Sequence, residues 1–193
     1  MSDLYHNYWI LADAKEEDLP KNKFSYETIF NGVRGGVRER KLTARLIPKF
    51  FKHFPELSAS AFNAHIALCN DKDSSVRHQA ARGLLQCASK DNLPNVADVL
   101  TQLLKTDDLA VHDFANKALL HLLKMDAIGT LKKMIHHIRK GRKIVRNRAM
   151  KFLSFKLKSL PEEVMTKEVE QLILFHFGKV SLEIYIGEIC NLA

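Results

Sequence analysis

A short pattern of residues recurs along this chain at an almost constant interval. Its clearest copy runs from Val76 to Leu84 with the form V-R-x-x-A-x-x-x-L, and a weaker copy 36 residues earlier carries Lys41 and Ala44 at the same places. The alanines of the three clear copies are 35 and 34 residues apart: Ala80, Ala115 and Ala149. A fixed period of this length is typical of stacked helical repeats, in which each unit buries its apolar face against its neighbours.

The spacing of apolar residues predicts ten helices joined by short polar turns, and no segment alternates convincingly as a strand does. Asp73 or Ser74 is predicted to cap the helix that carries the first motif, and the segment 106–108 to cap the helix that carries the second. Pro48 inside the third helix predicts a kink. Both the start and the end are predicted for seven of these helices, which span residues 3–15, 25–33, 38–54, 58–69, 127–140, 143–159 and 162–177. The sequence therefore predicts an all-α fold.

Composition and charge limit the classes of function. The 193 residues are 46% hydrophobic, which favours a folded chain, and the net charge of +8 favours acidic partners such as nucleic acid, an anionic protein surface or membrane headgroups. No signal peptide and no membrane span is expected, so cytosol or nucleus is predicted. The cysteines are few and widely spaced, which predicts buried thiols and neither disulfides nor a zinc site: Cys69, Cys87 and Cys190.

The second position of the motif is polar or charged in every copy. In stacked helical repeats an arginine here commonly meets an aspartate of a neighbouring turn, which would build an internal ladder. The predicted ladder residues are Lys41, Arg77, His112 and Arg146, with Asp73, Asp107 and Asp108 as acidic partners. A structural role is therefore favoured over ligand binding at these positions.

A basic stretch between Asp126 and Glu162 is the best functional lead, because it contains eleven Lys and Arg residues and no acidic residue. Helical spacing places apolar residues of both helices inward and basic residues outward. The predicted partner or anion-binding residues are Lys132, His136, Lys140, Arg142, Lys143, Arg148, Lys151 and Lys158. A specific anionic partner and a merely solvated face both remain open. We expect no aromatic side chain among these basic residues, which argues against single-strand readout.

No motif for catalysis, metal binding or cofactor binding stands out. No histidine is followed four residues on by a second histidine, and the glycines of the segment 32–36 lack the Gly-Lys-Ser/Thr ending of a phosphate loop. No enzymatic activity and no cofactor is expected.

Several longer segments resemble the apoptosis inhibitor 5 family, also called antiapoptotic clone 11. They are Asn7–Ala14, Ile47–Leu57, Asn92–Asp98, Lys124–Leu131 and Ile144–Leu153. The resemblance implies a right-handed α-solenoid of HEAT-like and then ARM-like repeats. It also implies a non-enzymatic nuclear or cytoplasmic scaffold that suppresses programmed cell death by binding proteins. Family partners include the chromatin-condensing factor Acinus and fibroblast growth factor 2.

The chain departs from the family pattern in ways that bear on those partners. Family members continue for several hundred residues through a leucine-zipper-like helix and a basic tail, and they carry acidic residues where Arg142 and Lys143 stand here. The family pattern is expected to degrade after Leu174, so we predict a HEAT-like domain over 1–174 and a divergent apolar tail over 175–193. Three hypotheses follow: a partner-binding module that dampens cell death, a basic module for nucleic acid or another polyanion, or a truncated copy without independent activity.

Overall fold

A computed structural model describes residues 2–89 and 92–190 of the chain, with side chains for 3–89 and 92–178. This part of the chain contains ten α-helices, several short 3-10 helices and no β-strand. The helices are α1 Ser2–Asp13, α2 Lys23–Asn31, α3 Val37–Phe50, α4 Ser58–Cys69, α5 Ser74–Gly83, α6 Leu93–Leu103, α7 Leu109–Met125, α8 Ala127–Lys140, α9 Lys143–Lys156 and α10 Lys167–Cys190. The predicted all-α class is confirmed.

The first of two compact units comprises residues 1–88 and contains α1 to α5. Helices two apart in sequence lie side by side within it, α2 against α4 and α3 against α5. Tyr26 is at the centre of the core: its ring stacks on Phe54 with centroids 4.6 Å apart, and its hydroxyl donates to the carbonyl oxygen of Ile47 at 2.9 Å. The buried hydroxyl is thus satisfied by the backbone of α3, as a buried polar group must be.

The second unit comprises residues 89–193 and contains α6 to α10. Here too helices two apart pack together, α6 against α8 and α8 against α10, while α9 packs on α8 and α10. The core is almost entirely aliphatic, with Leu100, Leu119, Leu131 and Met134 fully buried. This unit therefore has its own hydrophobic core, which positions the outer faces of α8 and α9.

The recurring pattern marks the buried face of four helices. Its alanines are fully buried on α3, α5, α7 and α9: Ala44, Ala80, Ala115 and Ala149. Asp73 accepts hydrogen bonds from the backbone N–H groups of Ser75 and Val76, and Asp108 accepts from those of Ala110 and Val111. Both predicted N-caps are confirmed, because a short carboxylate satisfies the N–H groups left free at a helix start.

The last helix differs from the prediction. It begins at Lys167 and not at residue 162, because the Thr166 hydroxyl accepts from the Val169 N–H group at 3.4 Å and caps a later start. Helical backbone continues to Cys190 but is broken at Gly178, where φ is +64°, a conformation that suits only glycine at low cost. The predicted tail 175–193 lies mostly outside the described side chains and stays a prediction.

Cys69 and Cys87 are buried in the first unit, as predicted. Burial raises the pKa of the Cys69 thiol to about 12 and also raises that of Cys87, so neither is a reactive thiolate at neutral pH. The side chain of Cys190 lies outside the described part. No helix within the described ranges is both long and apolar enough to span a bilayer.

Candidate functional site

The outer face of α8 carries the first half of the predicted basic site. Leu131, Met134, Ile135 and Ile138 form the buried stripe, as the sequence predicted. On the opposite side Lys132, His136 and Lys140 repeat every four residues and are exposed, with Arg139 beside them. The geometry concentrates positive charge along one helix face.

The turn after α8 and the start of α9 extend this positive surface. Arg142 and Lys143 are exposed there, and Lys151 and Lys158 are exposed further along the chain. The predicted inward residues of α9 are buried: Val145, Ala149, Phe152 and Leu153. The predicted site residues other than Arg148 are therefore all exposed, and their role in binding stays a prediction.

The side chain of Arg148 does not face outward as predicted, because it binds the turn that precedes α7. Its Nη2 lies 3.0 Å from Oδ1 of Asp107 and its Nη1 donates to the carbonyl oxygen of Thr106 at 3.3 Å. The arginine that meets Asp107 is thus Arg148 and not Arg146. Two residues correspond to about 200° around a helix, so Arg146 points away from α7 and is exposed.

The ladder positions Arg77 and His112 bind backbone carbonyl groups. Arg77 donates from Nη1 to the carbonyl oxygens of Asp71 and Lys72, at 2.8 and 2.9 Å. His112 Nδ1 lies 3.1 Å from the carbonyl oxygen of Leu104. Each side chain reaches back to the turn before its own helix, where helix ends leave carbonyl groups without partners.

An ion pair with two hydrogen bonds joins Arg40 to Asp71, a pairing that the repeat pattern did not predict. Arg40 Nε lies 2.6 Å from Oδ2 and Nη2 lies 3.2 Å from Oδ1, and both side chains are largely buried. The Arg40 guanidinium holds the pKa of the Asp71 carboxyl below its usual value. Lys41, the predicted residue, is exposed, because neighbours in a helix point about 100° apart.

Phe155 corrects the expectation that no aromatic residue lies among the basic ones. Its side chain is 56% exposed on α9, and Ile144 on the same helix is 45% exposed. Sequence spacing could have found both, since neither falls on the inward positions of the helix. A pair of exposed aromatic side chains lies on α1, where Tyr5 and Trp9 are four residues apart.

The described residues contain no group of three or more His, Cys, Asp or Glu side chains arranged to hold a metal ion. A polar pair near the basic face joins His137 Nε2 to Asp98 Oδ1 at 3.0 Å, and Asp98 also accepts from Gln102. This pair links α8 to α6 and is mostly shielded from solvent. The exposed chemistry of the site is therefore basic and apolar.

Comparison with known proteins identifies the relatives of the chain. The family model described as Apoptosis inhibitory protein 5 (API5) matches residues 1–190, so the match continues beyond Leu174. Apoptosis inhibitor 5 of Mus musculus is 55% identical over 97% of this chain, and the Homo sapiens protein is equally similar. The apoptosis inhibitor 5 homolog of Drosophila melanogaster is 33% identical over 96% of it.

These relatives are considerably longer than the chain. The aligned segment covers 37% of the mouse protein, 36% of the human protein and 35% of the Drosophila protein. The similarity therefore concerns one part of each relative, and it extends over nearly all of this chain. The chain belongs to the apoptosis inhibitor 5 family and matches the N-terminal part of its longer members.

Proposed function

We propose that this chain is a non-enzymatic scaffold that restrains apoptosis by binding partner proteins in the nucleus or cytoplasm. The observation that carries this proposal is the family match over residues 1–190, together with relatives named apoptosis inhibitor 5 that are 55% identical. The relatives' names support a role in restraining cell death, and protein binding is the mechanism that a helical-repeat surface serves best.

We further propose that the helices form a right-handed α-solenoid of HEAT-like and ARM-like repeats. Several helices two apart in sequence pack side by side within a unit, α2 with α4, α3 with α5, α6 with α8 and α8 with α10, as equivalent helices of successive repeats do. The motif alanines are buried on every second helix from α3 to α9. Both observations support a stack of helical repeats in which each repeat carries one copy of the motif.

Fibroblast growth factor 2 and Acinus are not the partners proposed here. Exposed Arg142 and Lys143 stand where the resemblance implies acidic residues that would face a basic growth factor. Of the family's later acidic positions, the resemblance keeps only Glu183 and Glu188, whose side chains lie outside the described part. The resemblance implies Acinus binding only for a zipper-like segment of longer family members, so partners should be sought by the chemistry of this chain's own surface.

Expression in growth-factor-deprived cells tests the proposed activity. We expect cells that express the chain to show less caspase activation than cells that express an unrelated helical-repeat protein at the same level. Equal caspase activation in the two cultures, at matched protein levels, would contradict the proposal.

A second candidate function is the binding of nucleic acid or another polyanion by the basic face of α8. It is favoured by the exposed row of Lys132, His136 and Lys140 and by the absence of acidic residues between Asp126 and Glu162 in the sequence. Each neutralised phosphate releases counterions. The logarithm of the binding constant should therefore fall with the logarithm of the salt concentration, with a slope of about 0.9 per phosphate contact.

Titration of a DNA duplex at several salt concentrations tests this candidate. Changing Lys132, Lys140, Arg142 and Lys143 together to Gln should lower the affinity and flatten the salt dependence. A charge-matched control changes four exposed lysines elsewhere: Lys41, Lys52, Lys72 and Lys124. Equal losses in the two variants would show that net charge, and not this surface, accounts for the binding.

A further inference from the structure

Three residues of α9 form a narrow mixed stripe on its outer side. Ile144, Lys151 and Phe155 are separated by seven and four residues, which places them within about 40° of one another around the helix axis. All three are exposed, with Ile144 at 45% and Phe155 at 56%. We call these three residues the α9 stripe. It extends over three helical turns, or about 16 Å.

The surroundings of the α9 stripe are positively charged. Arg142 and Lys143 lie at its N-terminal end and Lys158 follows its C-terminal end, all of them exposed. Asp107, in the turn before α7, is paired with Arg148 at 3.0 Å, and the sequence has no acidic residue between Asp126 and Glu162. An occupant of the stripe must therefore offer negative charge around an apolar centre.

The pair of Arg148 and Asp107 also brings the start of α7 to this surface. Since Arg148 holds Asp107, the start of α7 lies at the edge of the stripe, and Leu109 on its first turn is 83% exposed. Exposed apolar side chains that are rimmed by charge are the usual composition of a protein-binding patch.

Other occupants fit the α9 stripe less well. A second copy of this chain would bring two basic surfaces together, which like charges oppose. A bare nucleic acid duplex would use the basic residues but would gain nothing from Ile144. A lipid surface requires more buried apolar area than two side chains supply, since even one acyl chain binds only marginally.

We propose that the α9 stripe binds an acidic amphipathic helix of a partner protein. The apolar face of that helix covers Ile144 and Phe155, while its Asp and Glu residues meet Lys151 and the basic residues at both ends of the stripe. This is the helix-against-groove mode of recognition, in which a few apolar anchors supply most of the affinity. The inference rests on the proposed function, because it names the chemistry of a partner for the same scaffold.

A synthetic peptide tests the inference on the full chain. The probe is a fluorescein-labelled amphipathic helix of about 18 residues, or five turns, with Leu on one face and Glu elsewhere. We expect saturable binding, and we expect Ile144→Ser with Phe155→Ser to weaken it at least tenfold, because about 1.4 kcal/mol corresponds to a factor of ten. Lys151→Glu should weaken it as well.

Matched variants separate the α9 stripe from general stickiness and charge. Leu174→Ser with Phe175→Ser removes two other exposed apolar side chains of the same unit, and Lys167→Glu makes the same charge change on α10. Both controls should bind the peptide as the unchanged chain does. If they weaken binding as much as the stripe variants, or if a scrambled peptide of equal charge binds equally well, the inference is wrong.

Two further probes decide between classes of occupant. A DNA duplex and phosphatidylserine vesicles should bind no more weakly to the Ile144→Ser, Phe155→Ser variant than to the unchanged chain. If the stripe variant loses duplex or vesicle binding while peptide binding persists, the stripe serves that ligand and the inference is overturned.

The caspase assay in growth-factor-deprived cells distinguishes a failure of this inference from a failure of the proposed function. Protection of cells without peptide binding would overturn the acidic-helix inference alone. Stripe-dependent peptide binding without protection would overturn the proposed restraint of apoptosis alone.

Discussion

The ring of Pro48 on α3 lies directly against the backbone of Gly83 on α5. A Cβ atom at Gly83 would overlap Pro48 Cγ, and it would lie 3.2 Å from Cε1 of the buried His65. A proline ring is rigid and cannot move aside as the end of a flexible side chain can. Residues of α3, α4 and α5 meet at this contact, and it requires glycine for space and not for backbone freedom, since the φ of Gly83 is −81°.

Gly83→Ala should therefore destabilise the first unit. The added methyl group overpacks a close helix contact, and we expect a loss of about 1–3 kcal/mol in the free energy of unfolding. Urea titration followed by the fluorescence of Trp9, the only tryptophan, reports on this unit. Gly36→Ala is the control, because its Cβ would meet nothing closer than a Glu39 oxygen at 3.7 Å. Equal stability of the two variants would contradict the packing argument.

The buried His65 should make the first unit sensitive to mild acid. Its Nε2 donates to the carbonyl oxygen of Ala80 at 2.8 Å, while Nδ1 is buried without a hydrogen-bond partner. Burial lowers the pKa of His65 from 6.5 to about 4, so the unfolded chain binds a proton first. The contribution of neutral His65 to the free energy of unfolding is therefore fully present above pH 6.5. It is lost as pH falls towards 4, and the loss is about 3 kcal/mol at most.

His65→Gln should flatten this pH dependence, since glutamine can donate to the same carbonyl group but does not titrate. Urea titrations between pH 7 and pH 4 measure the effect. His121→Gln, at an exposed position of α7, should keep the pH profile of the unchanged chain. The expectation fails if the His65→Gln profile is as steep as that of the unchanged chain.

The two arginine–aspartate pairs should differ in their effect on stability. Asp71 and Arg40 are 9% and 14% exposed, whereas Asp107 is 90% exposed. We expect Asp71→Ala to cost about 2 kcal/mol, because it leaves a shielded guanidinium without its charged partner. Asp107→Ala should cause no measurable change, since solvent screens that pair. Thermal unfolding followed by circular dichroism, at low and high salt, would show whether the two variants instead behave alike.

The pKa shift of Asp71 predicts a second acid effect at lower pH. Its carboxyl pKa is held below its ordinary value by Arg40, so its contribution to stability is present above about pH 4 and is lost as pH falls further. Asp71→Asn should remove this low-pH component and leave the His65 component unchanged. Acid titration of the two variants, alone and combined, measures both components.

The motif alanines should not accept larger side chains. Ala115 is fully buried on α7, so Ala115→Leu forces extra volume into a packed helix contact and should cost about 2–3 kcal/mol. Ala110→Leu, on the exposed face of the same helix, should change stability by no more than about 0.5 kcal/mol. Circular dichroism during urea unfolding compares the two, and similar stabilities would mean that Ala115 has free space around it.

Periodicity predicted the helices well because it is a local property. The spacing of apolar residues in α8 and α9 placed Leu131, Met134, Ala149 and Leu153 on the inward side, and the structure buries all four. The N-caps at Asp73 and Asp108 were equally predictable, since a cap depends only on the next few residues.

Pairings between distant residues were much harder to predict. Arg40 and Asp71 are 31 residues apart, and Arg148 and Asp107 are 41 apart. Which arginine meets which aspartate depends on helix rotation and on the placement of the intervening turn. A one-residue difference turns a side chain by about 100°, which is why Lys41 is exposed and Arg40 is paired.

The sequence by itself determined the all-α class, the repeat interval, the inward face of each motif helix and the family, because each of these follows from residue types at fixed spacing. Only the tertiary structure decided that Arg148 is bound by Asp107, that His65 is shielded from water and that neighbouring helices leave Ile144 and Phe155 of α9 exposed. These features depend on how neighbouring helices cover one another, and a linear pattern gives the direction of a side chain but not what stands in front of it.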